Sequence, residues 1–256
     1  MEKGLYTSAM GMNSLWGNIE TIANNLANVD TTGYKRDEMV FSSFGSFKVN
    51  RLYDEIVKTP IGTSDTRPYI GSLEKGVSIS DIATIHTQGP LKQTENPFDL
   101  AIQGDGFFCV ETKDGEMFTR NGAFTLDNNG FLTTLSGNRV LSSQNSPIKI
   151  ENPDFIVTED GAIMVENEEI ARLKVVDFEN KNLLNKVGDT LFKTNETPKI
   201  AQFEVKQGYL EESNTEPVLE MVRMIEVQRL YEANQRVALT YDELFSRSIN
   251  DLGRVA

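Results

Sequence analysis

A chain of 256 residues is long enough to bury a substantial core in one or two domains. Its 39% hydrophobic and 25% charged residues are ordinary for a folded globular chain, and a net charge of −13 argues against nucleic-acid binding, which needs a basic face. One cysteine, Cys109, and one histidine, His86, exclude an intrachain disulfide and leave almost nothing for a zinc site of the usual nitrogen and sulfur type.

The N-terminus "MEKGLYTSAMGM" lacks the basic start and continuous apolar core of a cleaved secretory signal. The chain is expected either to stay in the cytoplasm or to leave by a route without such a signal. No run of about 18 apolar residues occurs, so a membrane-spanning helix is not expected.

The first 29 residues carry a heptad. Leu5, Met12, Ile19 and Leu26 occupy one seam position, and Ser8, Leu15, Ile22 and Val29 the other. A strict repeat of seven marks a helix that supercoils with a partner. Gly4, Gly11 and Gly17 each weaken helicity by about 1 kcal/mol, so this helix is expected to need that partner. Asn24, Asn25 and Asn28 follow near its end, before a turn-like "DTTG" in which Gly33 could supply a positive φ.

Residues 37–75 are hard to read. Phe41, Phe44 and Phe47 lie three apart among serines and glycines, followed by a stretch rich in turn residues. An ordered connector that folds against neighbours and a mobile loop are both compatible with this composition.

From 76 to 208 the pattern is short strands with turns at "KDG", "RNG", "NNG" and "SGN", then "FIVTEDGAIMV" and "ARLKVVDF". Asp-Gly and Asn-Gly pairs at this spacing predict successive hairpins and a mainly-β domain, as a partly open barrel or a sandwich. His86 in "ATIHTQG" is expected to be a strand residue with a hydrogen-bonded or solvated ring. "GDG" at 104–106 lacks the third glycine of a dinucleotide loop, and "DNNG" at 127–130 lacks the ligands of a calcium loop. Asp99 and Glu111 are a carboxylate pair that nothing in the sequence places in a cleft. No catalytic, cofactor or metal residue is therefore expected.

The C-terminal residues repeat the heptad. Met224, Tyr231, Ala238, Phe245 and Leu252 form one row; Val227, Asn234, Tyr241 and Ser248 form its companion. Leu230, Val237 and Leu244 flank them, widening the apolar stripe enough for more than one neighbour. "SNTEP" marks the start, with a Ser213/Glu216 capping box, or Thr215 as cap and Pro217 in the first turn. Acid-before-base pairs line the outer face: Glu220–Arg223, Glu226–Arg229, Glu232–Arg236 and Glu243–Arg247.

The expected fold is α+β. Long N- and C-terminal helices form a coiled-coil inner domain, with a central mainly-β, hairpin-rich domain. The boundaries are 1–36 for the N-terminal helix and turn, 37–75 for the connector, 76–208 for the β domain, and 209–256 for the C-terminal helix. The alternative is that both helices fold back onto the chain's own β domain.

"ANNLANVDTTGYK", "NPFDLAIQGDGFFCV", "FTRNGAFTLDNNGFL" and "VRMIEVQRLYEANQRV" resemble, in the same order, the shared blocks of the flagellar basal-body rod and hook protein family. The resemblance covers nearly the whole chain and is strongest to proximal-rod members, with distal-rod members next. It implies a structural subunit of a hollow, torque-transmitting shaft crossing the bacterial periplasm, whose partners are copies of itself and other rod subunits. It also implies unfolded passage through the flagellar type III export apparatus. The terminal helices would form the inner tube with the β domain outside. In that frame the assembly interface comprises Leu5, Met12, Leu15, Ile19, Ile22, Leu26 and Val29 with Asn24, Asn25, Asn28 and Gly33. On the C-terminal helix it comprises Met224, Val227, Leu230, Tyr231, Asn234, Val237, Ala238, Tyr241, Leu244, Phe245 and Leu252. The asparagine amides are expected to face neighbouring helices and set register without burying charge. A periplasmic cell-wall-binding or cell-wall-degrading protein is the competing class.

Overall fold

The structure is a computed structural model that describes residues 2–51, 56–59, 62–65, 68–152, 154–166 and 168–253. Two helices, α1 (Glu2–Ala27) and α2 (Pro217–Gly253), bracket a region that is mostly β. At about 1.5 Å per residue, the 37 residues of α2 span about 55 Å. The chain divides into two compact units. The first is Met1–Ala23, Met39–Ile82 and Met221–Ala256; the second is Asn24–Glu38 and Ala83–Glu220.

In the first unit, residues 37–75 fall largely in strands. Asp37–Asn50 pairs with Tyr69–Thr84 in a two-stranded ribbon, and Ile56–Thr59 pairs with Gly62–Asp65. Such a ribbon is marginal alone, because one pair of strands buries too little. Here α1 lies on it. Thr7 Oγ1 donates to the Lys75 carbonyl (2.6 Å) and Ser14 Oγ to the Val77 carbonyl (3.1 Å). A methyl placed on Gly76 would lie 3.3 Å from Met10 Cβ, and one on Gly17 would lie 2.8 Å from Ile79 Cδ1. As α1 advances from 7 to 17 the strand advances from 75 to 79, so the two run in the same direction.

The second unit holds a nine-stranded sheet. Its central strand, Phe107–Thr112, pairs with Gly115–Thr119, with Arg139–Val140 and with Val175–Asp177. Alternate residues of that strand point to opposite sides, and both sides are apolar. Phe108 and Val110 join a core with Leu100, Ile102, Leu132 and Ile163; Phe107 and Cys109 join a second with Phe118, Phe178 and Phe192. Burial on both faces explains the unbroken apolar run "FFCV". The strand order does not close on itself, so the described residues form no closed barrel.

Three expected turns join paired strands: "KDG", "NNG" and "SGN", with Gly115, Gly130 and Gly137 all at positive φ. "RNG" does not. Gly115–Thr119 pairs with Leu191–Lys193, and Phe124–Leu126 pairs with Leu132–Thr134, so no hairpin forms at 120–122. Gly122 instead passes so close to Leu100 that a methyl would sit 1.6 Å from its carbonyl oxygen, and Arg120 is buried. The Asn-Gly pair here serves close packing.

Candidate assembly interface

Between Met224 and Asn250 of α2, every residue that is not exposed belongs to one of two rows spaced by seven. These are Met224, Tyr231, Ala238 and Phe245, and Val227, Asn234, Tyr241 and Ser248. Both are the heptad rows read from the sequence. Leu252 lies in the last turn, and its side chain is outside the described residues. The flanking row is open: Leu230, Val237 and Leu244 are 55%, 45% and 46% exposed. The helix starts at Pro217, whose missing N–H costs nothing there. The Ser213/Glu216 capping box does not form, because Ser213 Oγ accepts from Thr215 N (3.2 Å), one residue short of Glu216. On the outer face Glu232 and Arg236 approach to 3.7 Å.

The contacts between α1 and α2 do not follow the α1 seam. A methyl on Gly4 would sit 2.4 Å from Tyr241 Cζ, one on Gly11 would sit 3.4 Å from Asn234 Oδ1, and the Trp16 and Tyr231 rings lie 6.3 Å apart. The α1 positions rise while the α2 positions fall, so the helices are antiparallel. Gly4 and Gly11 each precede a seam residue. Gly4, read from sequence only as a cost to helicity, leaves room for Tyr241, whereas a methyl at Gly11 would make close to ordinary contact with Asn234. Of the α1 seam, Ile22 and Ser8 are buried, Leu5 is exposed, and Met12, Leu15, Ile19, Leu26 and Val29 are half-buried. An open groove of about 970 Å³ runs between Leu5 and Tyr6 of α1 and Phe47 and Leu73 of the ribbon. Phe41, Phe44, Tyr69 and Ile70 are also exposed.

The asparagines close on their own chain. Asn25 is buried: its Nδ2 donates to the Asp37 carbonyl (2.8 Å), and its Oδ1 accepts from Asp37 N (2.9 Å) and Tyr34 Oη (3.1 Å). The amide thus pairs with the Asp37 backbone as a neighbouring strand would, correcting the expectation that it faces another helix. Asn24 is exposed and accepts from Tyr34 Oη (2.8 Å), while Asn28 Nδ2 donates to the Asn24 carbonyl (3.1 Å). Gly33 has φ +68°, and a methyl there would meet Asn121 N at 2.4 Å. Lys186 Nζ donates to Asp37 Oδ2 (2.9 Å) and sits 3.8 Å above the Tyr34 ring.

Sequence reading missed a buried charge cluster. Lys35 is 1% exposed and its ammonium pairs with Glu211, itself 1% exposed. Arg120 Nη1 donates to the other Glu211 oxygen (3.2 Å), and Gly89 N donates to the first (3.0 Å). Burial lowers the Lys35 pKa, and Glu211 opposes that shift.

His86 lies two residues beyond the ribbon strand, and its ring nitrogens are neither hydrogen-bonded nor exposed, contrary to expectation. Both nitrogens are shielded and without a partner; the ring stands edge-on to Phe107 (5.7 Å) and Phe192 (5.1 Å). Burial, then Lys35, Lys181 and Arg120, push its pKa down to about 4 against the pull of Asp37. Burial pushes the Cys109 thiol well up, which makes it a core residue rather than a nucleophile. Among the described residues no group of three or more His, Cys, Asp or Glu is placed to hold a metal, and no helix is long and apolar enough to cross a membrane.

Three family models match in chain order. Residues 5–35 match the flagella basal body rod protein model, 101–165 the D1 domain of flagellar hook protein FlgE/F/G, and 206–252 the C-terminal region of flagellar basal body rod FlgEFG proteins. Full-length relatives agree. The flagellar hook-basal body complex protein FlhO of Bacillus subtilis is 31% identical, with 100% of each chain covered. The basal-body rod protein FlgF of Caulobacter vibrioides is 32% identical, again over 100% of each. The rod protein FlgG of Bacillus subtilis is 30% identical over 98% of this chain and 99% of its own. These relatives are flagellar structural proteins rather than enzymes, and the chain belongs to the flagellar basal-body rod protein family.

Proposed function

We propose that this chain is a structural subunit of the flagellar rod, polymerising through α1 and α2 with copies of itself and other rod subunits into a torque-transmitting shaft in the periplasm. Export through the flagellar type III apparatus belongs to the same reading. The observation that carries it is the open row of Leu230, Val237 and Leu244. Three large apolar side chains at seven-residue spacing stay about half exposed while the two adjacent rows turn inward. A helix that keeps such a row in water has one more neighbour to meet. Leu5, Met12, Leu15, Ile19, Leu26, Asn24 and Asn28 extend the proposed interface on α1; Asn25 and Gly33 support it from inside. The FlgF-named and FlgG-named relatives cited above are 32% and 30% identical, so the reading is a rod subunit in either the proximal or the distal position.

The test is Val237→Glu in a motile strain carrying this chain as its only copy. Val237 is exposed, so the isolated subunit should keep its stability within about 0.5 kcal/mol. Export should continue, while incorporation into basal bodies and swimming should be lost. Normal incorporation of an exported variant would refute the proposed interface.

A further inference from the structure

Residues 24–38 and 203–214 are separated by most of the chain yet meet in the second unit. Gly33 N donates to the Glu211 carbonyl (2.8 Å), and Arg36 N donates to Asn214 Oδ1 (2.8 Å). Lys35 Nζ reaches both Glu211 and the Thr87 carbonyl (2.8 Å). Arg120 holds Glu211 from the other side, and its Nη2 donates to the Gly104 carbonyl (2.7 Å). Glu211 itself is placed by strand pairing, Tyr209–Glu211 with Leu91–Gln93, just after Phe203–Gln207 pairs with Leu100–Gly104.

The charge count in this cluster is uneven: two buried cations share one buried carboxylate. Without Glu211, docking residues 24–38 would bury the Lys35 ammonium beside the Arg120 guanidinium with no countercharge. That penalty outweighs what the segment's hydrogen bonds return. The cores around Phe107–Thr112 contain no residue of 24–38, so the sheet has its own reason to fold first.

We propose that Glu211 is a completion latch: residues 24–38 dock into the second unit only after residues 203–214 have delivered its carboxylate. The N-terminal segment, including the last turn of α1, stays undocked on any chain whose far end has not arrived. The latch makes a chain with 256 residues complete one of its N-terminal attachments last.

Pulse-labelled amide exchange during refolding of the full chain tests the order directly. Residues 107–119 should gain protection first, and 33–37 should follow together with 209–214. Protection of 33–37 before 209–214 would overturn the proposal. At equilibrium, Glu211→Ala should speed exchange across 33–37 by about two orders of magnitude while 107–119 stays protected. Equal loss across 107–119 would mean a global core defect and would also overturn it. Lys35→Met in the Glu211→Ala background separates charge from packing. A latch predicts that removing the orphaned ammonium restores part of the lost protection; a double variant as open as Glu211→Ala or more so would refute it.

Discussion

Acidification should open the second unit through His86. The ring is held among Phe107 and Phe192 with no acceptor for either N–H, so a proton arriving there creates a buried imidazolium facing Lys35, Lys181 and Arg120, with Asp37 as the opposing charge. The folded chain binds this proton with a pKa of about 4, against 6.5 for an unperturbed histidine. The pKa is depressed in the folded state, so between those values the unfolded chain binds more protons. The stability from keeping His86 neutral is complete above pH 6.5, falls as the pH drops, and is gone below about pH 4. At about 1.36 kcal/mol per pH unit this amounts to about 3 kcal/mol, a large share of what holds a domain together. Cys109 is a built-in reporter, because it is buried and the only thiol. Its labelling by 4,4′-dithiodipyridine in urea titrations at pH 7, 5.5 and 4.5, normalised to the unfolded chain, follows opening of this unit alone. His86→Phe fills the same aromatic cluster without a titrating group, and should remove about 2.4 kcal/mol of the pH dependence between pH 7 and 4.5 while the contribution of carboxylates persists. Wild type and His86→Phe losing stability in parallel from pH 7 to 4.5 would refute the reasoning.

The sequence speaks clearly where physics is local. The seven-residue rows of α2 reappear as its only shielded positions from 224 to 250, because a long helix shows one face to whatever it packs on. Hairpins at "KDG", "NNG" and "SGN" follow from glycine's access to positive φ. What stayed hidden is non-local. Lys35 and Glu211 are 176 positions apart, and no spacing rule links them. Asn25 looks like an interface amide until Asp37 comes back to meet it, and His86 looks like a strand residue until two phenylalanines close around it. Gly4 was legible only as a weak helix former, since its use depends on Tyr241 arriving from the other end of the chain. The ribbon of 37–50 with 69–84 escaped notice because its apolar residues are scattered and half-exposed instead of alternating cleanly.

Glycine substitutions give the remaining tests. Gly33→Ala should destabilise the second unit by about 2–4 kcal/mol in the Cys109 assay: a side chain at φ +68° is strained, and its methyl would meet backbone atoms of Arg120 and Asn121 within 2.6 Å that cannot swing aside. Gly17→Ala and Gly4→Ala should have opposite signs, although both put the better helix former into α1. At Gly17 the nearest atoms are the ends of flexible side chains, Ile79 Cδ1 at 2.8 Å and Met39 Cε at 3.1 Å, which can yield by rotation. Mid-helix propensity then dominates, and thermal unfolding followed at 222 nm should show a gain of about 0.5–1 kcal/mol. At Gly4 the methyl would meet two ring carbons and the phenol oxygen of Tyr241, all within 2.8 Å, and the position lies in the first turn, where propensity counts for little. The ring can escape only by drawing α2 away from α1, so Gly4→Ala should lower helix stability, and Tyr241→Ala in the same chain should recover part of the loss. Equal gains from Gly4→Ala and Gly17→Ala would show that the helices do not meet at Tyr241, and that the glycines are tolerated rather than required.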